Sequence, residues 1–241
     1  VRHYLWVPFI VWVTACGAPT GKVIAKIPEA SGISYCNHDD TLIVANDEGT
    51  YYRLNKKGKT LAKKALGDYD LEGVACEEDE ILFAVENKGL LIVDSKTGQK
   101  KQVSLNSLYH GDTLPLFDKK SGIEGIAKVG NTVYLAKQSK KKKRSFVAVV
   151  SLASSPPRVI DVIKHQLADT AGLAYHQGYL FMVSDKEDLL VKYDIQKKKR
   201  VQNVKLGKGA WEGIAFDTKG NVYLADDNGR VVKYKKKKLG L

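Results

Sequence analysis

The chain has 241 residues, 44% hydrophobic and 27% charged, which is enough for one substantial core or at most two small domains. That apolar content excludes a disordered chain, a mean hydropathy of -0.27 excludes a multi-span membrane protein, and three cysteines exclude a disulfide scaffold of this size. The 39 Lys plus Arg against 27 Asp plus Glu give a net charge of +12, which raises nucleic acid as a partner until the positions of the lysines are considered.

Residues 1–15 read as a secretory signal. Arg2 and His3 form a short basic start, and residues 4–15 then carry no charge. This apolar run is too short to span a bilayer, which takes ~20 helical residues. It ends in Val13-Thr14-Ala15-Cys16, small residues and then a cysteine, which resembles a bacterial lipobox. The reading predicts a lipidated Cys16, a tether over 16–21, and a domain over 22–238 held on the membrane outside the cytoplasm, in either the inner or the outer membrane.

The body is a repeat. Ser31-Gly32-Ile33-Ser34, Glu72-Gly73-Val74-Ala75, Glu124-Gly125-Ile126-Ala127, Ala171-Gly172-Leu173-Ala174 and Glu212-Gly213-Ile214-Ala215 are copies of one phrase. Their glycines are 41, 52, 47 and 41 residues apart. Each copy is followed by a second apolar phrase ending in polar residues, such as Leu42–Asp47 and Val222–Asp227, and then by a third short strand. Fourth strands follow at Thr60–Leu66, Lys101–Leu105, Arg158–Lys164 and Val201–Leu206. A period of 40–50 residues holding four short strands predicts an all-β, five-bladed β-propeller with blades starting near 31, 72, 124, 171 and 212. Two β-sandwich domains would show no such period. The fifth copy lacks a fourth strand, and Lys22–Ile27 is available to complete the last blade and close the ring.

With these phrases the chain resembles the SdiA-regulated family of bacterial envelope β-propellers. The resemblance rests on Ser31–Ser34, on Asp68-Tyr69-Asp70-Leu71-Glu72-Gly73-Val74-Ala75, and on the Glu-Gly-Ile-Ala copies at 124–127 and 212–215, and it covers roughly 22–238. The family is similar to the more distant six-bladed NHL-type propellers, some of them lactonases. The resemblance implies five blades and a bound calcium, and it brings no established reaction.

The residue before each first strand lies at one mouth of the channel, called the top here, and the loops from second to third strands return to that end. Glu72, Glu124 and Glu212, with Asp47, Glu86, Asn87, Asp185, Asp226 and Asp227, are therefore expected at the top. Carboxylates crowded in a narrow mouth repel unless a cation or bound waters sit among them, and an all-oxygen set suits Ca²⁺. The predicted ligands come from Glu72, Glu124, Glu212, Asn87, Asp185 and Asp226. No Cys/His cluster speaks for zinc. A hydrolase would also need a base, for which His110 in the long insertion 106–117 is the candidate; no nucleophile motif is present. Cys36 and Cys76 end neighbouring first strands at offsets of four and three from the shared glycine. Alternation puts them on opposite faces of their strands, and a disulfide is not expected.

Most lysine runs (Lys56–Lys59, Lys197–Arg200, Lys235–Lys238) fall in turns at the bottom, and only Lys140–Arg144 lies at the top. Export and scattered runs without an aromatic-lined groove argue against nucleic acid. An anionic envelope surface is the better partner for this charge. The function expected is a monomeric, lipid-anchored, calcium-dependent binding module for a small molecule or a protein. The alternatives are a calcium-dependent hydrolase of a lactone, ester or phosphoester, and a metal-free structural protein.

Overall fold

The computed structural model describes residues 17–117 and 121–241. The expected signal segment and the expected lipidation site, Cys16, lie outside the described residues. Blade one holds β2 (Ala30–Cys36), β3 (Thr41–Asn46), β4 (Thr50–Asn55) and β5 (Thr60–Ala65), after an opening strand β1 (Lys22–Lys26). Blade two holds β6 (Leu71–Cys76), β7 (Glu80–Val85), β8 (Gly89–Asp94) and β9 (Lys100–Val103). A small hairpin of β10 (Leu108–Tyr109) and β11 (Asp112–Thr113) precedes blade three, made of β12 (Ile123–Val129), β13 (Thr132–Lys137), β14 (Phe146–Ser151) and β15 (Arg158–Ile163). Blade four is β16 (Thr170–His176), β17 (Tyr179–Ser184), β18 (Leu189–Asp194) and β19 (Lys199–Lys205). Blade five is β20 (Trp211–Phe216), β21 (Asn221–Asp226) and β22 (Arg230–Lys235). Every blade is an antiparallel meander, and β1 pairs with β22 to supply the missing fourth strand. Each innermost strand touches the next, and β20 touches β2, so the five blades form a closed β-propeller.

The core is divided among the gaps between blades. Five apolar clusters fill them, one per gap, with Phe83 and Tyr51 between blades one and two and Phe181 and Ile214 between blades four and five. Consecutive residues of the middle strands serve opposite gaps. Ile43 and Ala45 face blade two while Leu42 and Val44 face blade five, which is why these strands are apolar at consecutive interior positions.

The repeated glycine has a steric cause. A Cβ on Gly73 would lie 2.6 Å from the carbonyl oxygen of Glu124, and one on Gly172 would lie 2.6 Å from that of Glu212. In each case the neighbour's first strand passes directly over the glycine. Gly73→Ala is expected to cost about 1–3 kcal/mol or more, as overpacking does. Gly207→Ala, where the nearest atom lies 3.9 Å away, is expected to be close to neutral. Chemical denaturation of the two variants checks this, and equal midpoints would contradict it.

Cys36 and Cys76 form a disulfide, with Cα atoms 5.2 Å apart, against the sequence expectation. Alternation separates these two offsets within one blade but not between two. Neighbouring blades meet through opposite faces of equivalent sheets, so an offset of four in one blade and three in the next is what turns both sulfurs into the same gap. Cys36 is buried in the cluster between blades one and two, and Cys76 packs against that cluster.

Candidate cation site at the channel mouth

The first strand of every blade is bulged at its start. Pairing with the second strand shifts between Ala30 and Gly32, between Leu71 and Val74, between Ile123 and Gly125, between Thr170 and Gly172, and between Trp211 and Gly213. The residue before the glycine is thus left out of the ladder, and bulges of this kind re-aim a side chain. It is a glutamate in three of the five blades, Glu72, Glu124 and Glu212.

Two further rings surround them. Two residues upstream of the bulged position stand Glu29, Asp70, Gly122, Asp169 and Ala210. The loop after each second strand contributes Asp47, Glu86, Gln138, Asp185 and Asp227. These loop residues are half-buried, whereas the strand-end residues before them in blades one, three, four and five (Asn46, Lys137, Ser184, Asp226) are buried and tie down the loops. Asn46 Nδ2 donates to the Pro28 carbonyl at 2.9 Å, Ser184 Oγ to that of Ala168 at 2.6 Å, and Lys137 Nζ to that of Ser121 at 2.9 Å.

The electrostatics match this crowding. Burial, then the charges of Glu124, Glu212 and Asp70, pushes Glu72 far above the usual carboxylate range. A hydrogen bond joins Glu72 to Glu124, which is itself raised, chiefly by burial, so the pair holds a proton between them at neutral pH. Glu212 is pushed up to about 9 by burial and by Asp227, Glu124, Asp185 and Asp47. Burial and a hydrogen bond to Glu29 raise Asp47 to about 7. Glu86, Asp169, Asp185 and Asp227 are also raised, each mainly by burial. The basic side chains acting on this group lie at its margin, with Lys137 facing Glu86 and Lys140 and Lys186 facing Asp169. Asp169 is 5% exposed, and its Oδ1 is buried without a hydrogen-bond partner.

Below the mouth the channel closes. Its waist is lined by the five glycines and by Ile33, Val74, Ile126, Leu173 and Ile214. At the opposite end Tyr35, Cys76, Lys128, Tyr175 and Phe216, three residues after each glycine, surround a shallow cavity of about 90 Å³. The acidic mouth is therefore a cup with an apolar floor rather than an open pore.

Of the six residues expected as metal ligands, the structure brings Glu72, Glu124, Glu212 and Asp185 into this cup. Asp226 is buried within its own loop, paired with Arg230 and accepting from the Asn228 backbone N–H at 2.9 Å; its neighbour Asp227 takes the mouth position. Asn87 is exposed and donates to Glu86 Oε2 at 2.8 Å, so Glu86 is the mouth residue of that loop. Glu29, Asp70 and Asp169 were not picked out as ligands. The only signal for them was Asp70 in Asp68-Tyr69-Asp70-Leu71-Glu72, because the position is Gly or Ala in two blades. Among the described residues no three His, Cys, Asp or Glu side chains stand ready as a complete metal cage. A cation here would draw on backbone carbonyls and water as well as carboxylates, as Ca²⁺ commonly does.

His110 is not part of this site. With Gly111 it forms the positive-φ turn of the β10–β11 hairpin, exposed, its ring 4.2 Å from that of Tyr109. The hairpin lies along β15, the outermost strand of blade three, where Asn106 bridges to Arg158 and Tyr109 Oη sits 3.4 Å from Asp161. The insertion folds against the flank of the ring instead of over its channel. His165 is buried, with its Nδ1 accepting from the Leu167 backbone, and burial lowers it to about 4.

Most basic residues lie around the perimeter. The outer strands carry Lys63 and Lys64, Lys100 and Lys101, Arg158, and Lys199, Arg200 and Lys205. Several bottom-turn lysines pair with nearby carboxylates, Lys56 with Asp40 at 2.5 Å and Lys198 with Asp161 at 3.0 Å. Charge is thus sorted radially, acidic at the axis and basic on the exposed edges, where lysine also blocks edge-to-edge pairing.

No curated protein matches the sequence. Among solved structures, the crystal structure of Myxococcus xanthus glutaminyl cyclase is similar in fold, with a TM-score of 0.64 and 11% identity over 88% of this chain and 94% of that one. The sequence signature of the family described as SdiA-regulated matches residues 17–233, the span of nearly all five blades, and the protein belongs to the SdiA-regulated family.

Proposed function

We propose that the protein is an envelope binding module that holds Ca²⁺ in its acidic mouth and recognises a small molecule or partner loop there through oxygen groups. The observation that carries this reading is the convergence of carboxylates from all five blades, the innermost of them on bulges, with the basic side chains that act on them among the described residues at the margin. The chemistry fits, since every candidate donor is an oxygen and the Asp169 carboxylate keeps a buried oxygen without a partner. Bound there, the ion supplies charge neutralisation and open coordination positions. The chain supplies the rigid ring that sets the distance between opposing carboxylates, and the apolar floor that excludes bulk water below.

Export rests on the apolar run ending at Cys16 and gains support from the Cys36–Cys76 bond, a feature of oxidising compartments. Among the described residues no helix is long and apolar enough to cross a membrane. From the apolar run and Cys16 we propose a domain held outside the cytoplasm by a lipid on that cysteine.

A calcium-dependent hydrolase is the second reading, favoured by the proton shared between Glu72 and Glu124, since paired carboxyls with displaced pKa values serve as general acid and base elsewhere. Equilibrium dialysis of chelator-stripped protein against Ca²⁺ tests both. Saturable binding is expected, weakened about tenfold or more by Glu212→Gln, roughly the loss of 1.4 kcal/mol, and unchanged by Glu78→Gln on an exposed bottom turn. Lactone, ester and phosphoester substrates that turn over with Ca²⁺ and stop with chelator would favour the hydrolase. Absence of Ca²⁺ binding would refute both readings.

A further inference from the structure

The insertion and the one lysine run at the top leave a second cavity, outside the mouth. It encloses about 730 Å³, within the size range of small-molecule sites. Leu114 and Pro115 of the insertion form one wall, Phe146 and Val162 of blade three form the apolar floor, Ser121, Lys137 and Ser139 complete the lining, and Lys143, Arg144 and Lys164 stand at the rim. Lys143 and Arg144 belong to the short 3-10 turn Lys142–Arg144 in the loop between β13 and β14. No carboxylate lines this cavity among the described residues. Lys142, the neighbour of the rim residues, turns away to pair with Glu187 at 3.0 Å. Lys143, Arg144 and Lys164 make no ion pair among the described residues.

An apolar floor under a cationic rim asks for a ligand with an apolar body and an anionic head. A cation or a neutral sugar gains nothing from the rim, and an inorganic anion gains nothing from the floor. We infer that this cavity is a binding site for a small amphiphilic anion, an alkyl chain headed by a carboxylate or phosphate. Its apolar part lies over Phe146 and Val162, and its head meets Lys143, Arg144 and Lys164. Charge complementarity carries the assignment, since three cations that make no ion pair among the described residues border a hollow floored by Phe146 and Val162, in a chain that elsewhere pairs many of its lysines.

The test uses decanoate and decyl phosphate as probes, below the concentrations at which they form micelles, with chelator present so that the acidic mouth stays empty of metal. Binding is followed by NMR shifts of Leu114, Phe146 and Val162. Saturable shifts are expected with either or both anions, and the stronger of the two identifies the head group. The exposed double reversal Lys143→Glu/Arg144→Glu, its fold checked by its melting temperature, is expected to weaken binding about tenfold or more, consistent with loss of two charge contacts. Glu212→Gln is expected to leave it unchanged, which separates this site from the mouth. Decyl maltoside and decyltrimethylammonium are expected not to saturate it. No saturable shift with either anion, equal binding of the neutral or cationic probe, or undiminished binding by the reversal variant would overturn the inference.

Discussion

Stripped of divalent cations, the protein is expected to lose thermal stability as the pH rises from 7 to 9, and calcium is expected to restore it. A carboxyl whose pKa is raised by folding keeps its proton in the native state at pH values where the unfolded chain has released it. Stability is therefore full below the unfolded value of 4.5 and is lost as pH rises through the folded value, about 9 for Glu212. Below pH 6.5 the buried His165 and the half-buried His176 act in the opposite sense, because folding lowers them and their contribution grows with pH up to their unfolded value. The window from 7 to 9 thus isolates the mouth. One such group contributes about 1.4 kcal/mol per pH unit, and each kcal/mol shifts the melting temperature of a chain this long by about 2–4 °C. Glu212 alone thus accounts for a fall of roughly 5–10 °C across the window in chelator, with Glu72 adding in the same sense, and a flat or rising profile is expected with Ca²⁺, which replaces the protons. Glu212→Gln, neutral at every pH, should be more stable than the parent at pH 9 in chelator and yet bind Ca²⁺ less well. A parent profile that is flat in chelator would show that the mouth does not store this repulsion.

Removing the disulfide is expected to have the second large effect. The bond closes a loop of 40 residues, and the chain-entropy estimate for such a loop is about 4 kcal/mol. Reduction, or the double variant Cys36→Ala/Cys76→Ala, should therefore lower the melting temperature by roughly 8–16 °C. The bond joins the innermost strands of blades one and two, away from the β1–β22 closure, so the reduced ring should still fold and keep its metal affinity. Alkylation of the oxidised, unfolded protein should modify neither Cys36 nor Cys76. Free thiols at both positions, with no change on reduction, would contradict the assignment.

The ring was legible in the sequence because its steric and polar demands recur with the blades. A glycine is required wherever the next first strand crosses, as at Gly73 and Gly172, so the phrase around it repeats. The spare strand at Lys22–Ile27 was needed by the count, and β1 fills that place. The acidic mouth was legible in outline from the three glutamates before the glycines. Its finer membership was not. Whether Asp226 or Asp227 faces the mouth depends on which of two adjacent residues the loop buries, and here Arg230 captures the first. The upstream ring was hidden because Gly122 and Ala210 interrupt it. The disulfide was missed because the meeting of opposite faces is a property of the ring, not of any one strand. His110 stands off the mouth for a related reason: the insertion bridges to β15 through Asn106 and lies along that outer strand instead of arching over the channel.

The most direct test of the calcium mouth is calorimetric titration of the stripped protein with Ca²⁺ at about pH 7.5, in buffers that differ in ionisation enthalpy. Because Glu72 and Glu124 share a proton and Glu212 holds one at this pH, one ion should bind with release of about one or more protons. Glu212→Gln should reduce that number. Absence of binding, or binding with the same heat in every buffer, would contradict the account.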